Sequence, residues 1–407
     1  MAAAPTTVAT SRPAVIALAL GVVGLAAGLA GTLGNGGLPG ALLMGFVFWL
    51  GLSAGGLGLL VVNHMAGGSW GAVVRRPLEA MVSALPIALL FFLPIAFFIP
   101  QLYPWADAAY VEAHKLVAWK AGYLNATWYV IRSLLYFALW LLAAWIYLRG
   151  AREQDAADLG RAGLIGYRLK ATAGLWLIVY VLSMTLAATD WTMSLTPEWW
   201  SGIYGLIFMI GQAIGAMALV ILTMVWLARH SPRVDELLSE KRLQDLGNFL
   251  MAFIMFWAYV NISQLIIQWT NNVVETNTFY VLRLYEQPWQ GLGVYLLVAG
   301  FFLPFLILFS RWVKRARATL AFMAGWALLN QALHVYWYVA PEIGRAGLPG
   351  FGDVAVFVGL GGIWFAAFLR SLGARSVVPE RDPRLLAAEQ AHHPTEPHAA
   401  GPEVRHV

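Results

Sequence analysis

Runs of about twenty apolar residues recur along nearly the whole chain. Each is long enough to cross a hydrocarbon layer about 30 Å thick as a helix rising 1.5 Å per residue. Ten are legible, at about 13–32, 40–64, 79–100, 127–148, 168–189, 202–228, 247–269, 290–310, 317–339 and 352–373. The ten-residue alternation of a transmembrane β-barrel is absent. With 60% hydrophobic and 12% charged residues, the chain lies far from the usual soluble composition. The fold class is therefore an all-α, multi-pass integral membrane protein with the lipid bilayer as its main surrounding. A membrane domain is expected over 1–373 and a disordered tail over 374–407, where Pro, His, Ala and charge take over.

Charge placement orients the spans. Most of the 26 Lys and Arg residues fall in the N-terminus, the even-numbered loops and the tail, among them Arg75, Arg76, Arg149, Arg229, Lys241, Arg311, Lys314 and Arg315. The odd loops hold only Lys115, Lys120, Arg283 and Arg345. The positive-inside rule then puts both termini in the cytoplasm. The net charge of +5 is a topology signal, and nucleic acid is not an expected partner. The first run, with Arg12 ahead of it and small residues at Gly28 to Gly31, has the outline of a secretory signal, but a spanning helix is the preferred reading.

The outer loops are long and aromatic. Residues 105–121 suit an amphipathic helix on the membrane surface, and Trp191, Trp199 and Trp200 suit an interfacial edge where partner subunits sit. Inside the spans, polar residues repeat at helical spacing. Thr172, Trp176, Tyr180, Ser183, Ala187 and Asp190 share one face, as do Asn261, Gln264, Gln268 and Asn271. Asn330 and His334 lie four apart, and Arg132 falls one to two turns below the outer surface. These positions predict one polar cluster in the outer half of the membrane, where unpaired polar groups cost several kcal/mol. Two readings stand: a structural lock with Arg132 and Asp190 as an ion pair, or a functional site. In the second, the ionisable groups Asp190, His334 and Arg132 are the working groups, with the amides Asn261, Gln264, Gln268 and Asn330 beside them. At the inner end His64 is read first as an interfacial histidine and second as the start of an inner proton path.

No cofactor motif is found. The chain has no cysteine for an iron–sulfur cluster. His64 and His334 sit at opposite ends of the membrane, which argues against a b-type haem. His392, His393, His398 and His406 lack the spacing of a metal site, so no metal site is expected.

Six stretches carry a family resemblance: HMAGGSWGAVVRRPLEA (64–80), LYPWA (102–106), HKLVAWKAGYLN (114–125), DWTMSLTPEWWSGIYGLIFMIGQ (190–212), LGNFLMAFIMFWAYVNISQLIIQW (246–269) and HVYWYVAPE (334–342). Together they resemble the F subunit of bacterial alternative complex III, one of the NrfD/PsrC-like membrane subunits of quinone-linked oxidoreductases. The resemblance implies two four-helix bundles, spans 2–5 and 6–9, flanked by spans 1 and 10, in a bacterial inner membrane. It implies a role in a respiratory or photosynthetic quinol-oxidising complex, with quinol as the substrate of the complex, quinol or proton handling by Asp190, His334 and Arg132, and a quinone or proton path along Asn261, Gln264, Gln268 and Asn330. The implied partners are a second NrfD-like membrane subunit and extracytoplasmic iron–sulfur and multihaem cytochrome subunits, which carry the haem and clusters. The family pattern after the tryptophan at the end of span seven, Ser-Gly-Asn-Leu-Pro-Glu-Glu, is replaced here by TNNVVETN after Trp269, so no role carries over to Glu275. The rival expectation is a secondary transporter that binds a solute among the same outer-half polar groups, with broken helices in two halves as its signature.

Overall fold

A computed structural model describes residues 7–32, 36–271 and 274–386. Every regular element among them is helical. The long helices, in chain order, are α1 (Ser11–Thr32), α2 (Leu38–Ala66), α3 (Ser69–Ser83), α4 (Leu85–Phe97), α5 (Ala126–Ala156), α6 (Leu159–Trp191), α7 (Tyr204–Ala228), α8 (Glu240–Asn271), α9 (Val274–Tyr285), α10 (Trp289–Tyr295), α11 (Leu303–Phe309), α12 (Arg317–Val339) and α13 (Phe351–Gly373). A π-helical segment, Leu296–Phe302, joins α10 to α11.

Among the described residues nine helical segments are long and apolar enough to cross a membrane, which fits a multi-pass membrane protein. The tenth expected run, 317–339, forms helix α12 but is not in that class. Its Asn330, Gln331 and His334 dilute its hydropathy and are all buried, so its polar face is turned into protein. Large apolar side chains stand exposed on the rim helices, including Val22 on α1, Leu142 and Trp145 on α5, Leu182 on α6 and Ile266 on α8. Such a belt is stable against lipid and not against water.

Helices α2 and α7 form the centre, which accounts for sequences apolar on every side. Small residues let neighbours close on α2: a Cβ on Gly56 would meet Met81 Cβ at 2.8 Å, and one on Gly58 would meet the Tyr180 ring at 3.0 Å. A second seam of glycines holds α1 on α13. A Cβ on Gly24 would lie 2.9 Å from Gly359 Cα, and one on Gly28 2.7 Å from Val356 N. Small residues at such spacing are how helices associate where lipid removes the hydrophobic drive.

Two prolines in the spans act in different ways. The third span breaks at Ala84, and Pro86 sits in the first turn of α4, where its missing N–H is harmless. In the eighth span Pro304 opens α11 directly after the π-helical segment. The surface helix expected over 105–121 is two short helices, Ala108–Ala113 and Lys115–Lys120, interrupted at His114.

The first part of the expected tail is packed. Residues 374–386 pack against the inner ends of the helices, with Val377, Val378, Asp382 and Leu385 buried. Charge pairing, described below, outweighs the low hydrophobicity of this stretch. Residues 387–407, with His392, His393, His398 and His406, lie outside the described residues.

Candidate functional site

The last turn of α6 brings Asp190 to the outer end of the membrane domain, fully buried. Arg132 faces it from the second turn of α5. The guanidinium grips the carboxylate with two hydrogen bonds of 2.9 Å, from Nε to Oδ2 and from Nη2 to Oδ1. The Tyr136 hydroxyl donates to the same Oδ2 at 2.8 Å from one turn deeper. Arg132 reaches outward as well: Nη1 donates to the Tyr123 carbonyl at 2.9 Å and the guanidinium covers the Tyr123 ring at 3.7 Å. Its side chain is 16% exposed, whereas that of Asp190 is sealed. The Tyr123 hydroxyl, just outside the span, is pushed up to about 12 by burial first and then by the Asp190 charge.

The tryptophans near Asp190 do not form one outer edge as expected. Trp191 is buried and donates from Nε1 to Ser133 Oγ at 2.9 Å within a cluster of Phe46, Phe92, Phe137 and Trp140. Trp199 is buried and stacks on Phe279 at 4.1 Å. Only Trp200 of the three stands exposed, at 63%. Their rings fill inter-helix space because the chain turns back into the bundle after Asp190.

The single outer cluster expected from spacing divides into two. Arg132 and Asp190 bind each other on α5 and α6, while His334 and the amides sit on α8 and α12, with α7 packed against both sets. In the second group Asn261 Nδ2 donates to the Trp257 carbonyl at 2.8 Å, and Asn261 Oδ1 accepts from the Tyr338 hydroxyl at 2.7 Å. Gln264 accepts from Ser201 Oγ at 2.6 Å. Asn330 Nδ2 donates to the Trp326 carbonyl at 2.8 Å, but its Oδ1 is buried without a partner, as is Oε1 of Gln268. His334 Nδ1 accepts from the Trp257 indole N–H at 3.3 Å, and its Nε2 is buried without a partner. A cavity of about 420 Å³ opens beside His334, Asn261, Trp257 and Trp337.

Between the groups lies a residue that sequence reasoning treated only as a loop charge. Arg283 on α9 is fully buried, covers the Phe279 ring at 3.5 Å and pairs with Glu342 at 2.5 Å. It also donates to the carbonyls of Phe279, Trp337 and Tyr338. Glu342 in turn accepts from Thr196, so the 190–200 segment, α9 and the end of α12 are tied together. A lone arginine in the aromatic stretch FYVLRLYEQPW was the available signal. The side chain of Glu275 lies outside the described residues.

At the inner end His64 is 5% exposed and packs on Tyr147 with ring centres 5.1 Å apart. Arg75 and Arg76, counted above among the cations that orient the spans, are buried in an ion network. Glu79 receives Arg75 at 2.6 Å, Arg76 at 2.7 Å and Arg375 at 2.7 Å. Arg76 also meets Asp155 at 2.6 Å, and Arg75 meets Asp382 at 3.0 Å. Arg384 bridges Asp382 at 2.8 Å and Asn63 Oδ1 at 2.8 Å. Burial alone would raise the Asp382 carboxyl, but its hydrogen bond to Arg384 and the charges of Arg384 and Arg75 bring it down to about 2. A cavity of about 290 Å³ lies between His64, Gln154, Lys170 and this segment.

Chemically, then, the chain has a sealed carboxylate with a cationic link to the protein surface, an apolar chamber beside an imidazole with one unused nitrogen, and at the opposite end a charge lock of four arginines and three carboxylates. No protein-family model and no curated protein matches the chain.

Proposed function

We propose that this chain is a membrane subunit of a quinol-oxidising complex of the alternative complex III type, seated in a bacterial inner membrane with both termini cytoplasmic. Its companions are a second NrfD-like membrane subunit and extracytoplasmic iron–sulfur and multihaem subunits, and its own task is to handle protons in the outer half of the membrane. Oxidation of a quinol releases two protons with two electrons, so a group of suitable basicity with an outward route is required. The observation that carries the reading is Asp190, buried at 0% exposure yet bonded to Tyr136 below it and to the partly exposed Arg132 above it. A carboxylate sealed from water on one side and linked to the surface on the other suits transient proton residence, and ionisable groups inside spans are expensive unless they serve such a path. The motif resemblance over 40–345 supports the choice of complex.

The test is purification of the tagged chain from its native membrane in mild detergent, followed by absorption spectra before and after addition of a quinol. Co-purifying haem that the quinol reduces supports the reading. A colourless, solitary chain, under conditions that keep other respiratory complexes intact, overturns it and makes solute uptake the next assay.

A further inference from the structure

At the end of the bundle opposite Asp190, the cavity of about 290 Å³ lies between the last turn of α2, Gln154 of α5 and the first third of α6. The 374–386 segment borders it through Asp382, Pro383 and Arg384. Proton handling at Asp190 makes no use of this space. Its wall at Gly67 and Gly68 is bare of side chains, because both positions hold left-handed backbone, with φ of 73° and 91°.

The polar groups of the wall fall into two sets. Gln154 and Asp382 are committed. Gln154 accepts from Arg75 at 2.5 Å and donates to the Ala162 carbonyl at 3.1 Å, and both oxygens of Asp382 are held by Arg384 and Arg75. The second set is open. His64 is 5% exposed, its ring nitrogens make no hydrogen bond among the described residues, and neither is shut off from the cavity that the ring borders. Lys170 lines the same cavity, exposed and without an ion pair among the described residues. Asp382 and Asn63 engage all but one of the Arg384 N–H donors.

Charge makes the same point independently. The network behind the cavity sets four arginines against three carboxylates, which leaves one positive charge over, and Lys170 adds another. A cation would meet repulsion here, and an apolar molecule would leave the donors unused. The complement is a compact anion that accepts several hydrogen bonds, as a phosphate does. The surroundings favour a lipid as its source. Beyond Lys170, α6 presents Leu175, Ile178 and Leu182 at 59–62% exposure over the next three turns, an apolar strip suited to acyl chains. Basic pockets between spanning helices take the headgroups of anionic lipids in this way.

We propose that this cavity binds the phosphate of an anionic phospholipid, with His64, Lys170 and the remaining Arg384 N–H donating to its oxygens and the acyl chains lying along Leu175, Ile178 and Leu182. The lipid bridges α2, α6 and the 374–386 segment and so fastens the charge lock to the bilayer surface. The site rests on this geometry and is independent of the quinol reading.

The experiment is native mass spectrometry of the full chain, in mild detergent with whatever subunits accompany it, after incubation with dioleoylphosphatidylglycerol or dioleoylphosphatidylcholine. A retained phosphatidylglycerol adduct is expected, with little phosphatidylcholine. Lys170→Gln should weaken the adduct about fivefold, the factor for one basic group near a membrane surface. Lys170 has no partner to lose, so this variant keeps the fold. His64→Phe keeps a ring against Tyr147, removes the donor and should weaken the adduct about tenfold, as for one hydrogen bond to a charged group. Lys241→Gln, at an exposed lysine on α8, should change nothing. Equal uptake of the two lipids, an undiminished adduct in either cavity variant, or an equal loss in Lys241→Gln overturns the proposal. Inorganic phosphate added alone should leave the adduct in place. Displacement by phosphate at comparable concentration would show a site for the free ion and overturn the lipid assignment.

Discussion

Replacing Asp190 by Asn should destabilise the chain more than any exposed charge substitution, because three hydrogen bonds converge on the carboxylate and its side chain is fully buried. Breaking a buried ion pair by removing one partner costs roughly 3–5 kcal/mol. Two features lower that figure here. Arg132 remains 16% exposed and can turn its charge outward toward the Tyr123 carbonyl and ring, and Asn keeps one carbonyl acceptor for Tyr136. The expected loss is therefore about 2–3 kcal/mol. Arg132→Met leaves the sealed carboxylate without its cation and should cost at least as much. The double variant Arg132→Met with Asp190→Leu removes both charges together, and apolar replacement of a buried pair is often close to neutral. It should therefore be less damaging than the sum of the singles by about 2 kcal/mol. Denaturant unfolding of the purified chain in detergent, followed by tryptophan fluorescence, measures all three. Single variants within about 0.5 kcal/mol of the parent, combined with additive behaviour of the double, would refute the argument that this pair is a coupled, desolvated unit.

Gly359→Leu, whose Cβ would fall 2.5 Å from Leu25 N, should force α1 off α13 and speed hydrogen exchange through 11–32 while sparing α2. Arg283→Gln leaves Glu342 without its cation and frees three carbonyls. It should cost about 3 kcal/mol and expose the 278–288 segment to proteolysis. For Asp382 the folded carboxyl is held below its ordinary 3.8, at about 2. Its stabilisation is therefore full above pH 3.8 and is lost as pH falls toward 2. Unfolding midpoints taken through that window should drop less in Asp382→Asn than in the parent.

What could be read before the fold was known follows from which signals are local. Span length is local, so helices α1, α2 and α4–α8 were visible as apolar runs. Of the six residues placed on one face of α6 by three-four spacing, Tyr180, Ser183, Ala187 and Asp190 are buried, whereas Trp176 is half-buried and Thr172, nearer the start of the helix, is exposed. The pairing of Arg132 with Asp190 was legible as one of two readings, but the separation of that pair from His334 and the amides was not. Spacing along one helix cannot say that α7 stands between Asp190 and His334. Tyr136 went unseen because a tyrosine in an apolar run reads like any aromatic. Trp191 and Trp199 were misplaced because a tryptophan at a span end has the same sequence signature whether it faces headgroups or folds back inside. The burial of Arg75 and Arg76 was not legible for a related reason: Glu79 is local, but the further partners Asp155 and Asp382 are remote in sequence.

That remoteness has a consequence for biogenesis. Asp382 follows Arg75 by 307 residues, and Arg375 follows Glu79 by 296. At about 5–20 residues per second a ribosome needs roughly 15–60 s to cover that distance. Throughout this interval α3 is already made while its charges lack the partners that complete their lock. The inner face of the first helices can close only when the final described segment emerges and docks. A message truncated just after α13 would thus yield the spanning helices found among the described residues but leave the charge lock around Arg75 and Glu79 incomplete.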